Sequence, residues 1–198
     1  MKRRGNATNN KIHLIAEDKT GEFVFKEIIR KKDIAVRVVA YGKAVGVSTL
    51  AREIKGLLAT ILRKSSAQDC IIVLYDTDIS VQTDREHYQK IAQICKSHGE
   101  RVTRLEAVQE IESWLLADKG FCQWLGEPPR ASDHILQPSK KLESLINDKF
   151  RRSMWTNLNK PKLLQQHMDA SGDKLSESMH VSMEVIKKLP CIQALNQP

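Results

Sequence analysis

Two apolar runs in this chain each end on acid. Residues 11–16 (KIHLIA) lead directly into Glu17 and Asp18, and residues 70–75 (CIIVLY) lead into Asp76, Thr77 and Asp78. Carboxylates gathered at one place repel each other and are driven toward protonation unless a cation joins them. A hard divalent ion such as Mg²⁺ relieves that repulsion. It takes carboxylate oxygens, keeps several waters, and is commonly held by one or two carboxylates together with substrate phosphates. The D-x-D spacing of Asp76 and Asp78 suits this role, one carboxylate bonding the ion while the other orients a ligand water. Asp is also a common turn and capping residue, so the pattern gains weight only from Glu17 lying at a second strand end.

The elements that must bring these residues together are legible as alternating periods. Strand-like runs occupy 11–16, 34–42 (IAVRVVAYG), 70–75 and 101–107 (RVTRLEA). Helical stretches lie between and after them: 22–32, 47–65, 85–99 and 108–126. In the second of these, Leu50, Ile54, Leu57, Leu58, Ile61 and Leu62 form a stripe at helical spacing, and Ser48 or Thr49 is placed to cap its start. Gly99 and Gly126 read as helix stops. Strands alternating with helices of these lengths predict an α/β fold with a mostly parallel sheet flanked by helices. In such sheets ligands collect beyond the carboxyl ends of the strands, where both acidic groups fall. Beyond residue 126 the chain passes through a loop with three of the six prolines and into short helices. The resulting division is a basic arm (1–10), an α/β catalytic domain (11–126) and a proline-containing loop with a helical C-terminal extension (127–198), either a cap on the sheet or a small subdomain.

Composition narrows the function. The 198 residues carry 32 Lys and Arg against 24 Asp and Glu, a net charge of +8, which favours polyanionic partners such as nucleic acid. No apolar run approaches a membrane span, and no secretory leader is visible, so a cytoplasmic protein is expected. Cys70, Cys95, Cys122 and Cys191 form no C-x-x-C pair and read as reduced, buried thiols. The run 42–49 (GKAVGVST) misses the phosphate-loop pattern, with Val47 where the lysine belongs. A response-regulator reading fails on the early position of Glu17 and Asp18 and on the length of the tail.

The early strand ending in Glu17, the later strand ending in DTD and the string EIESWLLAD (110–118) together resemble the Toprim (topoisomerase–primase) domain. More narrowly they resemble small stand-alone bacterial Toprim-like proteins related to the nucleases of the OLD (overcoming lysogenization defect) family. The likeness covers residues 11–141, with PSKKL (138–142) in keeping. It implies a Toprim-like fold, Mg²⁺ or Mn²⁺ as cofactor, phosphodiester chemistry on DNA or RNA, and a part in anti-phage defence beside an ATPase partner; a homo-oligomer is compatible with it. By the same resemblance Glu17, Asp76 and Asp78 hold the metal and are catalytic; one of Glu110 and Glu112 is expected to face the same crevice, with Glu110 as the catalytic candidate. The related nucleases often carry a second acid four residues after the first, in an E-G-x-x-E pattern. Here Asp18 replaces the glycine, Gly21 takes the fourth place and Glu22 follows it, which sets a two-metal mechanism in question.

On a helix, residues two apart point roughly 200° apart, so Glu110 and Glu112 are expected to face different partners. Trp114, Leu115 and Leu116 read as core. Lys19 and Lys43 lie near strand ends and are candidates for steadying a phosphate. From 139 to 162, Lys140, Lys141, Lys149, Arg151, Arg152, Lys160 and Lys162 stand against Glu143 and Asp148, a local net of +5 with Trp155 among them. This is a candidate backbone-tracking surface, with Lys140, Lys141, Arg151 and Arg152 as its substrate-binding residues. A non-catalytic nucleic-acid-binding or regulatory subunit with a vestigial acidic site is the alternative expectation.

Overall fold

The structure, a computed structural model, describes residues 10–41, 46–77, 84–151 and 154–194. Asp78, Lys43, Arg152 and the 1–9 arm lie outside the described residues. Four strands, β1 (Lys11–Ala16), β2 (Arg37–Tyr41), β3 (Cys70–Thr77) and β4 (Val102–Val108), form an all-parallel sheet in the order β2-β1-β3-β4. The fold is therefore α/β. β2 lies on one side of β1, and β3 with β4 lies on the other. The winding reverses between β1 and β3, and in sheets of this kind the crevice for a ligand lies outside the carboxyl ends at such a point.

Both faces of the sheet are covered, which is why β3 is apolar without alternation. One face packs against α2 (Val47–Lys64) and α3 (Arg85–Ser97): Ile71, Val73 and Tyr75 meet Ile54, Leu58, Ile61 and Ile91. The other face meets α1 (Lys19–Lys31) and the C-terminal helices. These are α4 (Glu112–Ala117), α5 (Lys119–Leu125), α6 (Pro138–Phe150), α7 (Lys160–His167), α8 (Glu177–Lys187) and α9 (Pro190–Gln193). Ile12, Leu14 and Ile72 share a core with Leu142, Ile146, Leu164, Met179 and Ile192, so the tail caps the sheet and completes its interior. Trp114 and Leu115 are fully buried within it. No described helix is long and apolar enough to cross a membrane.

Several boundaries move for local reasons. The first helix begins at Lys19, three residues earlier than its pattern predicts, because Asp18 accepts the Gly21 N–H at 2.6 Å and caps it. The second helix starts at Val47 after Gly46, whose φ of 79° makes the turn, and neither Ser48 nor Thr49 acts as the cap. The stretch 108–126 is two helices: Asp118 ends α4, and its carboxylate accepts the Phe121 N–H to begin α5. The same carboxylate accepts the Asp169 and Ser171 N–H groups, hooking the tail to this corner.

The expectation of four reduced thiols is overturned at one pair. Cys70 at the start of β3 and Cys191 in α9 form a disulfide spanning 121 residues, while Cys95 and Cys122 are free and buried. The cysteines meet because the tail's last described helix closes on the amino end of the sheet, where Asn10 also bonds the Cys191 carbonyl. Closing so long a loop is worth roughly 2–5 kcal/mol through the unfolded chain. Thiol titration of the denatured, unreduced protein should give two free thiols per chain. Reductant should lower the denaturant midpoint of the wild type and leave a Cys70→Ser/Cys191→Ser double variant unmoved; four titratable thiols would refute the bond.

Candidate acidic crevice

Glu17 follows β1 directly, its own N–H bonded to the Leu74 carbonyl as if the strand pairing ran one residue further. That places its carboxylate beside β3, where Oε2 accepts the Asp76 N–H at 2.9 Å. Asp76 is held from the opposite side: its Oδ1 accepts the Ile111 N–H at 2.9 Å, tying β3 to the turn that follows β4. The two acids predicted to meet are thus locked together at the switch point, one on each central strand.

Glu110 and Glu112 arrive by a different route from the one their spacing predicts. The helix opens at Glu112, so Glu110 lies in the turn before it and the 200° separation does not apply. Gln109, buried and at a left-handed φ of 67°, bends the chain back over the strand ends. Such a conformation costs a non-glycine residue roughly 1–2 kcal/mol. Glu110 Oε2 then accepts the Ser139 N–H at 2.6 Å at the start of α6, while Glu112 turns inward to 5% exposure. Both remain near enough to Asp76 for their charges to bear on it.

Electrostatics follows from this crowding. Burial is the largest influence on Asp76, with the charges of Glu17, Glu112, Asp18 and Glu110 adding to it, and together they hold its carboxyl well above the usual range. Glu17 is pushed up to about 7, first by burial and then by Asp18, against N–H donors at Asp76 and Val47 that favour its ionised form. Glu112 is likewise raised to about 7, by burial and by Asp18, with Lys160 opposing.

A basic residue that the sequence pattern counted only as one cation of the 139–162 stretch stands beside the acids. Lys160 opens α7, donates to Thr20 Oγ1 at 2.6 Å and lies 3.9 Å from Glu112 Oε1. It also sits 5.0 Å from the centre of the Trp155 ring. Trp155 packs edge-on to Phe121 as part of the interior rather than standing free for a base. Pro161 in the first turn marks where this helix starts, but nothing local signals a partner 140 residues away. Lys19 is engaged by Glu22 at 2.7 Å, and Glu22 is also bonded to Lys26 at 2.6 Å, so neither points a free charge at the crevice. Lys140 and Lys141 are exposed on the first turn of α6, next to the Glu110 contact; Arg151 is exposed at the far end of that 13-residue helix.

Among the described residues no group of three or more His, Cys, Asp and Glu side chains makes a ready metal shell. The donor set nevertheless suits a hard cation: Glu17 and Asp76 supply carboxylate oxygen at adjoining strand ends, and the Glu17 charge adds to burial in raising the Asp76 carboxyl. Mg²⁺ needs no more than one or two protein carboxylates when waters and phosphate complete its octahedron. No protein-family model, curated protein or solved structure matches the chain.

The raised carboxyl of Glu17 makes stability depend on pH in a defined direction. Its proton leaves near pH 7 in the folded chain and near 4.5 in the unfolded one. Between these values the folded state binds more protons, so stability falls as pH rises. Metal-free protein should therefore lose Tm from about pH 5 to about pH 8, Glu17→Gln should flatten the fall, and millimolar Mg²⁺ should restore the loss. A Tm rising across that window would contradict the crowding.

Proposed function

We propose that the chain is a metal-dependent nuclease, with Toprim-like chemistry, that hydrolyses phosphodiester bonds in DNA or RNA. The observation that carries this reading is the Glu17–Asp76 contact across the two central strands. Glu17 and Asp76 hold Mg²⁺ or Mn²⁺, with Asp78 as the further carboxylate that the D-x-D spacing supplies. When bound, the ion lowers the pKa of a coordinated water toward neutrality and offsets charge on the phosphate. Attack by water oxygen on phosphorus forms one P–O bond and breaks the one to the leaving oxygen, which departs with the electron pair and is protonated. The Glu17 carboxyl, raised to about 7 in the metal-free chain by burial and by Asp18, is brought down by a bound cation, so it serves as an ionised ligand and the water's proton passes to solvent. Glu110 fixes the start of α6, and with it Lys140 and Lys141 beside the crevice where a polyanion would lie.

By resemblance the protein serves anti-phage defence with an ATPase partner, and the sequence expectation puts it in the cytoplasm. The Cys70–Cys191 bond weighs against that compartment, since such bonds are rare there. A second reading, a non-catalytic nucleic-acid-binding or regulatory subunit, draws on the lack of a three-donor group among the described residues.

Incubation with Mg²⁺ or Mn²⁺ and mixed plasmid DNA and tRNA should produce cleavage that chelation abolishes. Metal stabilisation is worth several kcal/mol, so Asp76→Ala should lower the rate by at least about 100-fold. Wild-type protein that shifts a labelled oligonucleotide without cutting it would establish the second reading instead.

A further inference from the structure

Two carboxylates stand at the start of α1, and the first, Asp18, caps the helix by accepting the Gly21 N–H at 2.6 Å. The second, Glu22, is clamped by Lys19 at 2.7 Å and Lys26 at 2.6 Å. What stands with them on that side is an ammonium. Lys160 comes in from the tail, donates to the buried Thr20 of α1, and faces the buried Glu112 of α4 at 3.9 Å with both side chains largely sheltered from water. Its contact with Trp155 fixes a third side. Burying an ion pair costs several kcal/mol of solvation per ion, which packing alone gives little reason to retain. A lysine held by groups from α1, α4 and the 154–155 segment is a cation set in place before any ligand arrives.

We infer that the Lys160 ammonium is the second fixed cation of this crevice, and that the chain therefore takes up one divalent ion there rather than two. The inference rests on the nuclease reading. In two-metal sites the paired ions clamp the attacking and leaving oxygens of a phosphate in line. An ammonium supplies the charge half of that task, since a lysine beside a transferring phosphoryl group stabilises developing negative charge. It does not acidify a water, a function that would fall to an ion held by Glu17 and Asp76. Lys160 also balances Glu112, which with Asp18 would otherwise present uncompensated carboxylate to a second cation.

The test is the stoichiometry of Mn²⁺ binding to the full chain without substrate, by calorimetry and by the spectrum of free Mn²⁺. Wild type should bind one ion per chain. Lys160→Met should bind two, the second more weakly, while Lys160→Arg should keep one. Two ions in the wild type, or one ion still in a folded Lys160→Met protein, would overturn the inference and leave the nuclease reading standing. No Mn²⁺ binding by the wild type would instead remove that reading, and this inference with it. The wild-type count decides the matter even if the methionine variant does not fold.

Discussion

Like charges forced together at the turn-over point of a parallel sheet are the constraint around which this molecule is arranged. Glu17 and Asp76 sit on adjacent strands, and each donor nearby serves to hold a carboxylate in place: the Asp76 N–H for Glu17, the Ile111 N–H for Asp76, the Ser139 N–H for Glu110. Backbone N–H groups make charge-assisted bonds that orient these acids without neutralising them. Burial and mutual repulsion remain, and they appear as carboxyl groups displaced toward neutrality at Glu17, Asp76 and Glu112. A fold that gained nothing from this charge would be expected to place apolar groups there instead.

The helical extension is part of the site as well as part of the core. Leu142, Ile146 and Leu164 cover the sheet face that α1 leaves open. The same helices bring Ser139 to Glu110 and Lys160 to Glu112 and Thr20. The excess of positive charge after residue 139 is therefore divided. Lys160 is turned inward to the acids, whereas Lys140, Lys141 and Arg151 stay in solvent, where exposed cations attract a polyanion at long range.

What the sequence disclosed depended on the range over which its causes act. The alternation of strand and helix, the two-sided burial of residues 70–75 and the convergence of the β1 and β3 ends follow from periodicity and sheet winding, and they were readable. Asp18 as a cap and Asp118 as the break between α4 and α5 depend on single side-chain bonds that compete with an otherwise continuous helical pattern. The left-handed turn at Gln109 carries no glycine to announce it, so the sequence pattern predicts Glu110 as helical. The partnership of Lys160 with Glu112 and the Cys70–Cys191 bond are set wholly by tertiary closure, and no local pattern encodes them.

The bond and packing that tie α9 to the amino end of β3 have a consequence for biosynthesis. The central strand of the sheet touches residues made more than a hundred positions later, through Cys191 and through Ile192 in the shared core. While the ribosome is still working through the tail, the part of one sheet face that α1 leaves open has nothing to lie against. Completion of the interior must wait until residue 192 has cleared the exit tunnel, and until then the half-made protein shows translating cells a hydrophobic surface of the kind that chaperones hold.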